Sequence, residues 1–305
     1  MLPVIATLGA VVAAWTARTA VARRHHADVA RRLPVGPLGI IPGAEPFTLP
    51  ARGHAGDGPA VLLIHGFGDT PQTLRYLGDA LHAAGWTVHV PLLPGHGRTL
   101  AEYGRSTAAS WIAHARDELA LLRARHRDVA IAGLSMGGAI AAVLAAETPE
   151  VRALALLAPY LSMPTRIRRL ARVHGLLGLV MPWAVGRGKH SIHDEREAAR
   201  NLAYGVVAPR LLRELLHVVE AAQEALPRIV APTLVVYSRQ DIRVPVDAAE
   251  REYAKLRMAE RELMWLDRCG HLVTVDREHH DVSARVAAFF ARHVETGATR
   301  QAVTG

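Results

Sequence analysis

The chain has 305 residues, half of them apolar, and a formal net charge of +8 at pH 7. This length and composition exclude a largely disordered chain and predict one large α/β domain, alone or with an insertion. The single cysteine, Cys269, excludes a disulfide within the chain. No nucleic-acid recognition motif accompanies the basic charge, and neither C-x-x-C nor H-E-x-x-H occurs, so we expect neither a nucleic-acid partner nor a metal site.

The N-terminal segment, residues 1–22, is apolar and alanine-rich, and arginines follow it directly. Its length is about that needed to cross a bilayer, although Arg18 interrupts the apolar run. It is interpreted as a membrane anchor, as a helix docked on the protein surface, or as a signal peptide. The arginines behind an anchor would hold the remaining chain on the cytoplasmic side, whereas the other two interpretations predict a cytoplasmic or a secreted protein.

Residues 23–57 are predicted to form a linker and an entry strand that lead into the core, because Arg32 to Pro59 is rich in proline and glycine. Beyond it, short apolar runs bounded by turn residues predict buried strands at 60–64, 87–91, 128–132, 153–157, 233–237 and 262–266. Helical stretches lie between them, at 72–84, 107–126, 138–146 and 276–293.

This alternation predicts a mostly parallel central sheet flanked by helices, with its core in residues 58–159 and 227–295. The intervening residues 160–226 have helical character and are predicted to be a cap inserted over the edge of the sheet where such folds bind ligands. Residues 296–305 are predicted to be a C-terminal tail.

The most informative motif is Gly133-Leu134-Ser135-Met136-Gly137, a G-x-S-x-G pentapeptide between a predicted strand and a predicted helix. A serine on so sharp a turn adopts strained backbone angles, and the flanking glycines leave room for it. The turn exposes the hydroxyl beside a helix N-terminus, which favours an oxyanion. Ser135 is therefore the candidate nucleophile.

A nucleophilic serine needs a base and an acid that orients the base. Asp241 follows the predicted strand 233–237, and His271 lies in the loop after the last predicted strand, so they are the candidate acid and base. The backbone N–H groups of Met136 and Phe67 are the candidate oxyanion donors. His65 and the turn Pro94-Gly95-His96-Gly97 are interpreted as structural.

These motifs, together with Gly270-His271-Leu272-Val273-Thr274-Val275-Asp276, resemble the α/β-hydrolase superfamily, and within it bacterial carboxylesterases and monoacylglycerol lipases. The resemblance covers about Gly58 to His293 and is weakest in the cap. It implies the α/β-hydrolase fold and a triad of Ser135, Asp241 and His271, with no cofactor. Ser238 stands where many relatives carry glycine, which leaves the triad unaffected.

The resemblance implies hydrolysis of carboxylic esters through an acyl-enzyme on Ser135, with a small ester or a lipid as substrate. Thioester cleavage, acyl transfer and carbon–carbon cleavage remain open on the same triad, as does a non-catalytic ligand-binding protein.

An apolar stretch in the cap, Leu176 to Trp183, is equally compatible with binding a medium acyl chain or monoacylglycerol and with forming the cap's own core. The cap arginines face lipid headgroups in one interpretation and solvent in the other. Cys269 lies two residues before His271, which predicts that thiol reagents block activity sterically. Composition and motifs leave the oligomeric state open.

Overall fold

A computed structural model of the protein describes residues 2–51, 58–186 and 191–294. Its strands are β1 (Phe47–Leu49), β2 (Ala60–Ile64), β3 (Thr87–Val90), β4 (Val129–Leu134), β5 (Leu154–Leu157), β6 (Ala184–Val185), β7 (Val206–Val207), β8 (Thr233–Ser238) and β9 (Arg261–Leu266). Its α-helices are α1 (Leu2–Arg32), α2 (Arg75–Ala83), α3 (Leu100–Arg105), α4 (Ala108–Arg123), α5 (Met136–Glu147), α6 (Thr165–Arg172), α7 (His174–Val180), α8 (Glu195–Arg200), α9 (Pro209–Ala225), α10 (Val246–Tyr253) and α11 (His279–His293).

Seven of the described strands form one sheet in the order β1-β3-β2-β4-β5-β8-β9. β1 is antiparallel to β3, and every other neighbouring pair in this sheet is parallel. The carboxyl ends of β4, β5, β8 and β9 therefore lie along one edge, where loops from distant parts of the sequence can meet. This is the mostly parallel sheet flanked by helices that the strand pattern predicts.

The central strands are buried because helices cover both faces of the sheet. In β2, Leu62 and Ile64 belong to the core that contains Trp111 of α4. Val61 and Leu63 belong to the opposite core, which contains Phe290 of α11. Alternate residues of a strand point to opposite faces, so both sets of side chains must be apolar, and each contributes roughly 1.5–3 kcal/mol on full burial.

The N-terminal helix differs from the prediction. α1 continues to Arg32, ten residues beyond the predicted boundary at residue 22, so the start of the predicted linker is helical. Ion pairs of Asp28 with Arg31 and Arg32 support the last turns, and the helix ends before Pro34, since proline disfavours helical angles in the residue before it. Across the described residues, α1 included, no helix is long and apolar enough to cross a membrane.

The C-terminal part of α1 packs against the body. Nε of Arg18 donates to the Gly178 carbonyl in α7 at 2.7 Å, and a guanidinium N–H of Arg32 donates to the Tyr204 carbonyl at 2.5 Å. The His26 ring meets Trp183 edge-on, with 5.8 Å between ring centroids. These contacts hold the second half of α1 against α7 and the segment around Tyr204.

Residues 160–226 are not purely helical as predicted, because β6 and β7 form a short antiparallel pair within them. The pattern was missed because each strand has two residues, too few to show a period of two. The longest helix of this region, α9, packs against α5 and α4 and so joins the layer on the sheet, and α6 and α7 pack on α9 from outside.

The other predicted elements are present with shifted ends. The helix predicted at 72–84 is a 3₁₀ turn, Pro71–Leu74, followed by α2, and the closing helix begins at His279 rather than at residue 276. The short helices α3 and α10 were not predicted. A capping box stabilises the start of α3. The Thr99 hydroxyl accepts from the Glu102 N–H, and the Glu102 carboxylate accepts from the Thr99 N–H.

Candidate active site

Ser135 is the single residue that links β4 to α5. Its backbone lies at φ 56° and ψ −115°, in the left-handed region that costs a non-glycine residue about 1–3 kcal/mol. Two neighbouring glycines make the turn sterically feasible. A Cβ on Gly133 would lie 2.1 Å from the Gly137 carbonyl oxygen, and a Cβ on Gly137 would lie 2.0 Å from the Ile64 carbonyl oxygen. The turn therefore requires glycine on both sides of the serine.

The fold brings the three predicted polar side chains into one hydrogen-bonded chain. The Ser135 Oγ lies 2.7 Å from Nε2 of His271, and Nδ1 of His271 lies 2.6 Å from Oδ2 of Asp241. Asp241 follows β8 and His271 follows β9, so neighbouring parallel strands deliver them to the same edge of the sheet. Both side chains are almost completely buried.

The hydrogen bonds of Asp241 define the state of the histidine ring. Oδ1 of Asp241 accepts from the N–H groups of Arg243 and Val244 at 2.7 and 3.2 Å, which leaves Oδ2 to accept from His271. Burial acts to raise the pKa of Asp241, but the electrostatic interaction and hydrogen bond with His271 and the two backbone N–H groups outweigh it and lower the pKa below its ordinary value. The carboxylate therefore stays ionised, Nδ1 of His271 carries a proton, and Nε2 faces Ser135 as an acceptor.

The two predicted oxyanion donors belong to the two segments next to the serine, the start of α5 and the loop after β2. Met136 is the first residue of α5, and Phe67 lies in the turn after β2. The loop approaches closely, since a Cβ on Gly66 would be 3.4 Å from Cβ of Ser135. Within the part of the chain that the structure describes, the N–H groups of Phe67 and Met136 have no hydrogen-bond acceptor. Both N–H groups are thus left available for a ligand.

His65 and His96 form the structural support of this loop. Nε2 of His65 accepts from the Leu93 N–H at 3.1 Å, so its Nδ1 carries the proton and donates to the Gly66 carbonyl at 3.0 Å. The His96 ring packs edge-on against His65, with centroids 5.1 Å apart. Burial lowers the pKa of His65 to about 4 and holds that of His96 well below its ordinary value, so both rings remain neutral near pH 7.

Asp69 is a buried carboxyl group that sequence reasoning missed. Its Oδ2 accepts from the Thr73 hydroxyl at 2.7 Å, and the same oxygen lies 3.6 Å from where a Cβ on Gly66 would stand. Burial raises the pKa of Asp69 to about 6, although the Thr73 hydrogen bond opposes this. Its sequence signal is its place directly after His65-Gly66-Phe67-Gly68, in the loop that follows β2.

Ser238 precedes the candidate acid by three residues, and Cys269 precedes the candidate base by two. The Ser238 hydroxyl donates to the Cys269 carbonyl at 2.5 Å and so ties β8 to the loop that carries His271. The Cys269 thiol is fully buried, and burial raises its pKa to about 12. Thiol reagents require an accessible thiolate, so the prediction that they block activity through Cys269 conflicts with this environment.

No group of three or more His, Cys, Asp or Glu side chains among residues 2–51, 58–186 and 191–294 is arranged to hold a metal ion. The arrangement offers instead a serine hydroxyl, a neutral imidazole poised to accept its proton, an ionised carboxylate behind the imidazole and two free N–H groups. These are the components that nucleophilic acyl transfer uses.

The sheet, its helices and this strand-to-helix turn define an α/β-hydrolase. Residues 58–278 match the serine aminopeptidase S33 family, and the chain belongs to that family. α1 lies outside the matched residues.

Similar proteins include a thermostable monoacylglycerol lipase from Bacillus sp. strain H-257, 30% identical over 83% of this chain and 97% of its own. A carboxylesterase from Bacillus subtilis strain 168 is 26% identical over 78% of this chain and 94% of its own. The solved structure of a metagenome-derived lipolytic enzyme has a TM-score of 0.75 and 31% identity, and covers 83% of this chain and 100% of its own. Taken with the fold, these similarities make the chain a carboxylic ester hydrolase.

Proposed function

We propose that the protein hydrolyses carboxylic esters through a covalent acyl-enzyme on Ser135. The observation that carries this proposal is the continuous hydrogen-bonded chain from the Ser135 hydroxyl through His271 to Asp241. A serine hydroxyl is a weak nucleophile until a neighbouring base removes its proton, and this arrangement supplies the base and orients it.

The geometry supports the following sequence of steps. Nε2 of His271 takes the proton as Oγ of Ser135 attacks the ester carbonyl carbon. The carbonyl oxygen becomes an oxyanion that accepts from the N–H groups of Phe67 and Met136. His271 then gives the proton to the leaving alkoxide, and the acyl group stays on Ser135. Water, deprotonated by His271, attacks the acyl-enzyme and releases the carboxylic acid.

A turnover profile tests this proposal. We expect activity on p-nitrophenyl esters between acetyl and palmitoyl or on monoacylglycerols, and covalent labelling by a serine-directed phosphonate. Ser135→Ala should lose both. Ser283→Ala is the matched control, because Ser283 is a buried serine whose hydroxyl has no partner in the described structure, and it should retain both.

Two results would contradict the proposal. Ester hydrolysis that survives in Ser135→Ala would assign the reaction to another group. Labelling of Ser135 without ester turnover would favour a thioester, acyl-transfer or carbon–carbon cleavage reaction on the same three residues.

We further propose that the substrate is a lipid ester and that α1 and α7 meet an anionic lipid surface. The similar lipase acts on monoacylglycerols by its name. Leu176, Leu179 and Val180 of α7 are 71%, 68% and 72% exposed. Helix α1 packs against α7, and Trp15 of α1 is 64% exposed. A cluster of large exposed apolar side chains is typical of an interaction site rather than of a free surface.

The charge next to these side chains favours a lipid surface as the partner. α6 carries Arg166, Arg168, Arg169 and Arg172 and has no acidic residue. None of these four forms an ion pair with the described residues, so their positive charge is not neutralised locally. Each basic residue near an anionic membrane contributes about 1 kcal/mol to binding.

Vesicle sedimentation tests this second proposal. Changing Arg166, Arg168, Arg169 and Arg172 to glutamine should reduce binding to phosphatidylglycerol–phosphatidylcholine vesicles at least about tenfold, while turnover of a soluble short-chain ester stays unchanged. The control carries Arg125, Arg127, Arg228 and Arg257 as glutamine, which are exposed on other parts of the body. Equal binding by both variants would overturn the proposal.

A further inference from the structure

Asp276 is a fully buried carboxylate outside the hydrogen-bonded chain of Ser135. Four backbone N–H groups converge on it. Oδ1 accepts from Asp194 and Arg277 at 2.9 and 2.8 Å, and Oδ2 accepts from His193 and Gly270 at 2.9 and 2.6 Å. The side chain therefore bridges two stretches of chain that are about 80 residues apart, as the sequence numbers show.

One of these stretches, residues 191–194, belongs to the region between β5 and β8. The other contains His271, the candidate base. Residues 191–194 lie directly against the loop 269–272, which contains His271. The Leu272 N–H donates to the Ser191 carbonyl at 3.0 Å, and a Cβ on Gly270 would lie 2.6 Å from that same oxygen. The two backbones are thus in direct contact, with no space for a side chain between them.

The loop that carries Asp241 also contacts residues 191–194. Nε of Arg243 donates to the Ser191 hydroxyl at 2.9 Å, while the Arg243 N–H donates to Asp241. Residues 191–194 therefore contact the loops of both Asp241 and His271.

The four donors explain why the bridging residue is an acid. A carboxylate presents two oxygens with about four acceptor sites, all of which can face N–H groups. An asparagine would present one oxygen, and its NH₂ group would face two N–H donors. A buried N–H without an acceptor costs about 1–3 kcal/mol, so the junction would have to open.

We propose that Asp276 is a positioning residue for His271, holding the base loop against residues 191–194. The inference rests on the proposed function, because it takes His271 to be the base. A displacement of about 1 Å in a catalytic group can reduce turnover about 10²-fold, so Asp276 acts on the reaction without touching substrate.

Turnover per labelled active site separates positioning from simple stability. In Asp276→Asn, kcat normalised to phosphonate-titrated Ser135 should fall about 10- to 100-fold, with KM changed less than about threefold. Glu252→Gln is the matched control. It removes another buried carboxylate, which pairs with Lys255 and does not contact the His271 loop. The control should lower the melting temperature and leave kcat per site unchanged.

A second variant keeps the proposal testable if Asp276→Asn does not fold. Gly270→Ala leaves Asp276 in place but forces the His271 loop away from the Ser191 carbonyl, and it should reduce kcat per site in the same way. Normal kcat per titrated site in Asp276→Asn, or in folded Gly270→Ala, would overturn the proposal. A wild-type protein without turnover or labelling would instead reject the proposed function.

Discussion

The sheet edge and the outer helices of this protein use their side chains in opposite ways. At the edge of the sheet, Asp241 and His271 are buried and their hydrogen bonds are paired with each other and with backbone groups. On α7 large apolar side chains are exposed, and on α6 Arg166, Arg169 and Arg172 are exposed. Burial strengthens a polar contact and fixes its geometry, whereas an exposed side chain is free to contact a partner. If the two proposals hold, the residues at the sheet edge carry out the chemistry, and α1, α6 and α7 bring the protein to lipid.

The largest expected effect is in the body, at Asp241. Asp241→Asn removes the charge that holds the Nδ1 proton of His271 and favours the wrong tautomer of the ring. We expect kcat to fall about 10⁴-fold with the fold intact, measured as turnover of a soluble ester alongside circular dichroism. Asp247→Asn, at an exposed acid on the next helix, is the control and should be neutral. Near-normal turnover in Asp241→Asn would separate this carboxylate from the mechanism.

A second buried acid in the body should affect stability rather than turnover number per site. The pKa of Asp69 is raised from 3.8 to about 6 by burial, so the folded state keeps the proton that the unfolded state loses. The wild type therefore loses stability as the pH rises from about 3.8 to 6. Asp69→Asn removes this loss, and we expect it to be about 1–3 kcal/mol more stable than wild type at pH 7.

Denaturant unfolding at pH 4, 5.5 and 7 measures this difference. The gain should grow with pH through that window, and Asp117→Asn, at an exposed acid, should show no such trend. A gain that is the same at all three pH values would show that Asp69 does not titrate in this range.

The outer helices should show the reverse behaviour, in which stability is unchanged and lipid binding is reduced. We expect Leu176, Leu179 and Val180 changed to serine to weaken vesicle binding about tenfold, because apolar area no longer enters the lipid. The free energy of unfolding should stay within about 0.5 kcal/mol per site, as is usual for exposed positions.

The matched control makes the same change to serine at Leu38, Leu121 and Val230, which are 80%, 56% and 60% exposed elsewhere on the molecule. It should bind vesicles like wild type. If the α7 variant were instead strongly destabilised with unchanged vesicle binding, α7 would be part of the core and the contrast between the two regions would not hold.

The smallest expected effect is at Cys269. Because its thiol is buried and its pKa is raised to about 12, iodoacetamide should leave the activity of the native protein unchanged while labelling the unfolded chain. Rapid inactivation that is absent in Cys269→Ala would mean that the loop of His271 opens in solution.

The sequence by itself determined the sheet and the chemical groups at its edge. Buried parallel strands must be apolar on both faces, so β2, β4, β5 and β8 could be predicted from continuous apolar runs. The turn at Ser135 could be predicted because it leaves no room for a side chain at Gly133 or Gly137, so it carries a recognisable glycine pattern. Asp241 and His271 were predicted from their place after strands, since the ends of parallel strands converge.

Only the tertiary structure decided which distant groups share an environment. The packing of α1 on α7, the pairing of the two-residue strands β6 and β7, and the burial of Cys269 and Asp276 all depend on contacts between segments far apart in sequence. An acidic residue in a loop has the same local signature whether it faces water or four backbone N–H groups. Periodicity reports which face of an element is buried, but not which element covers it.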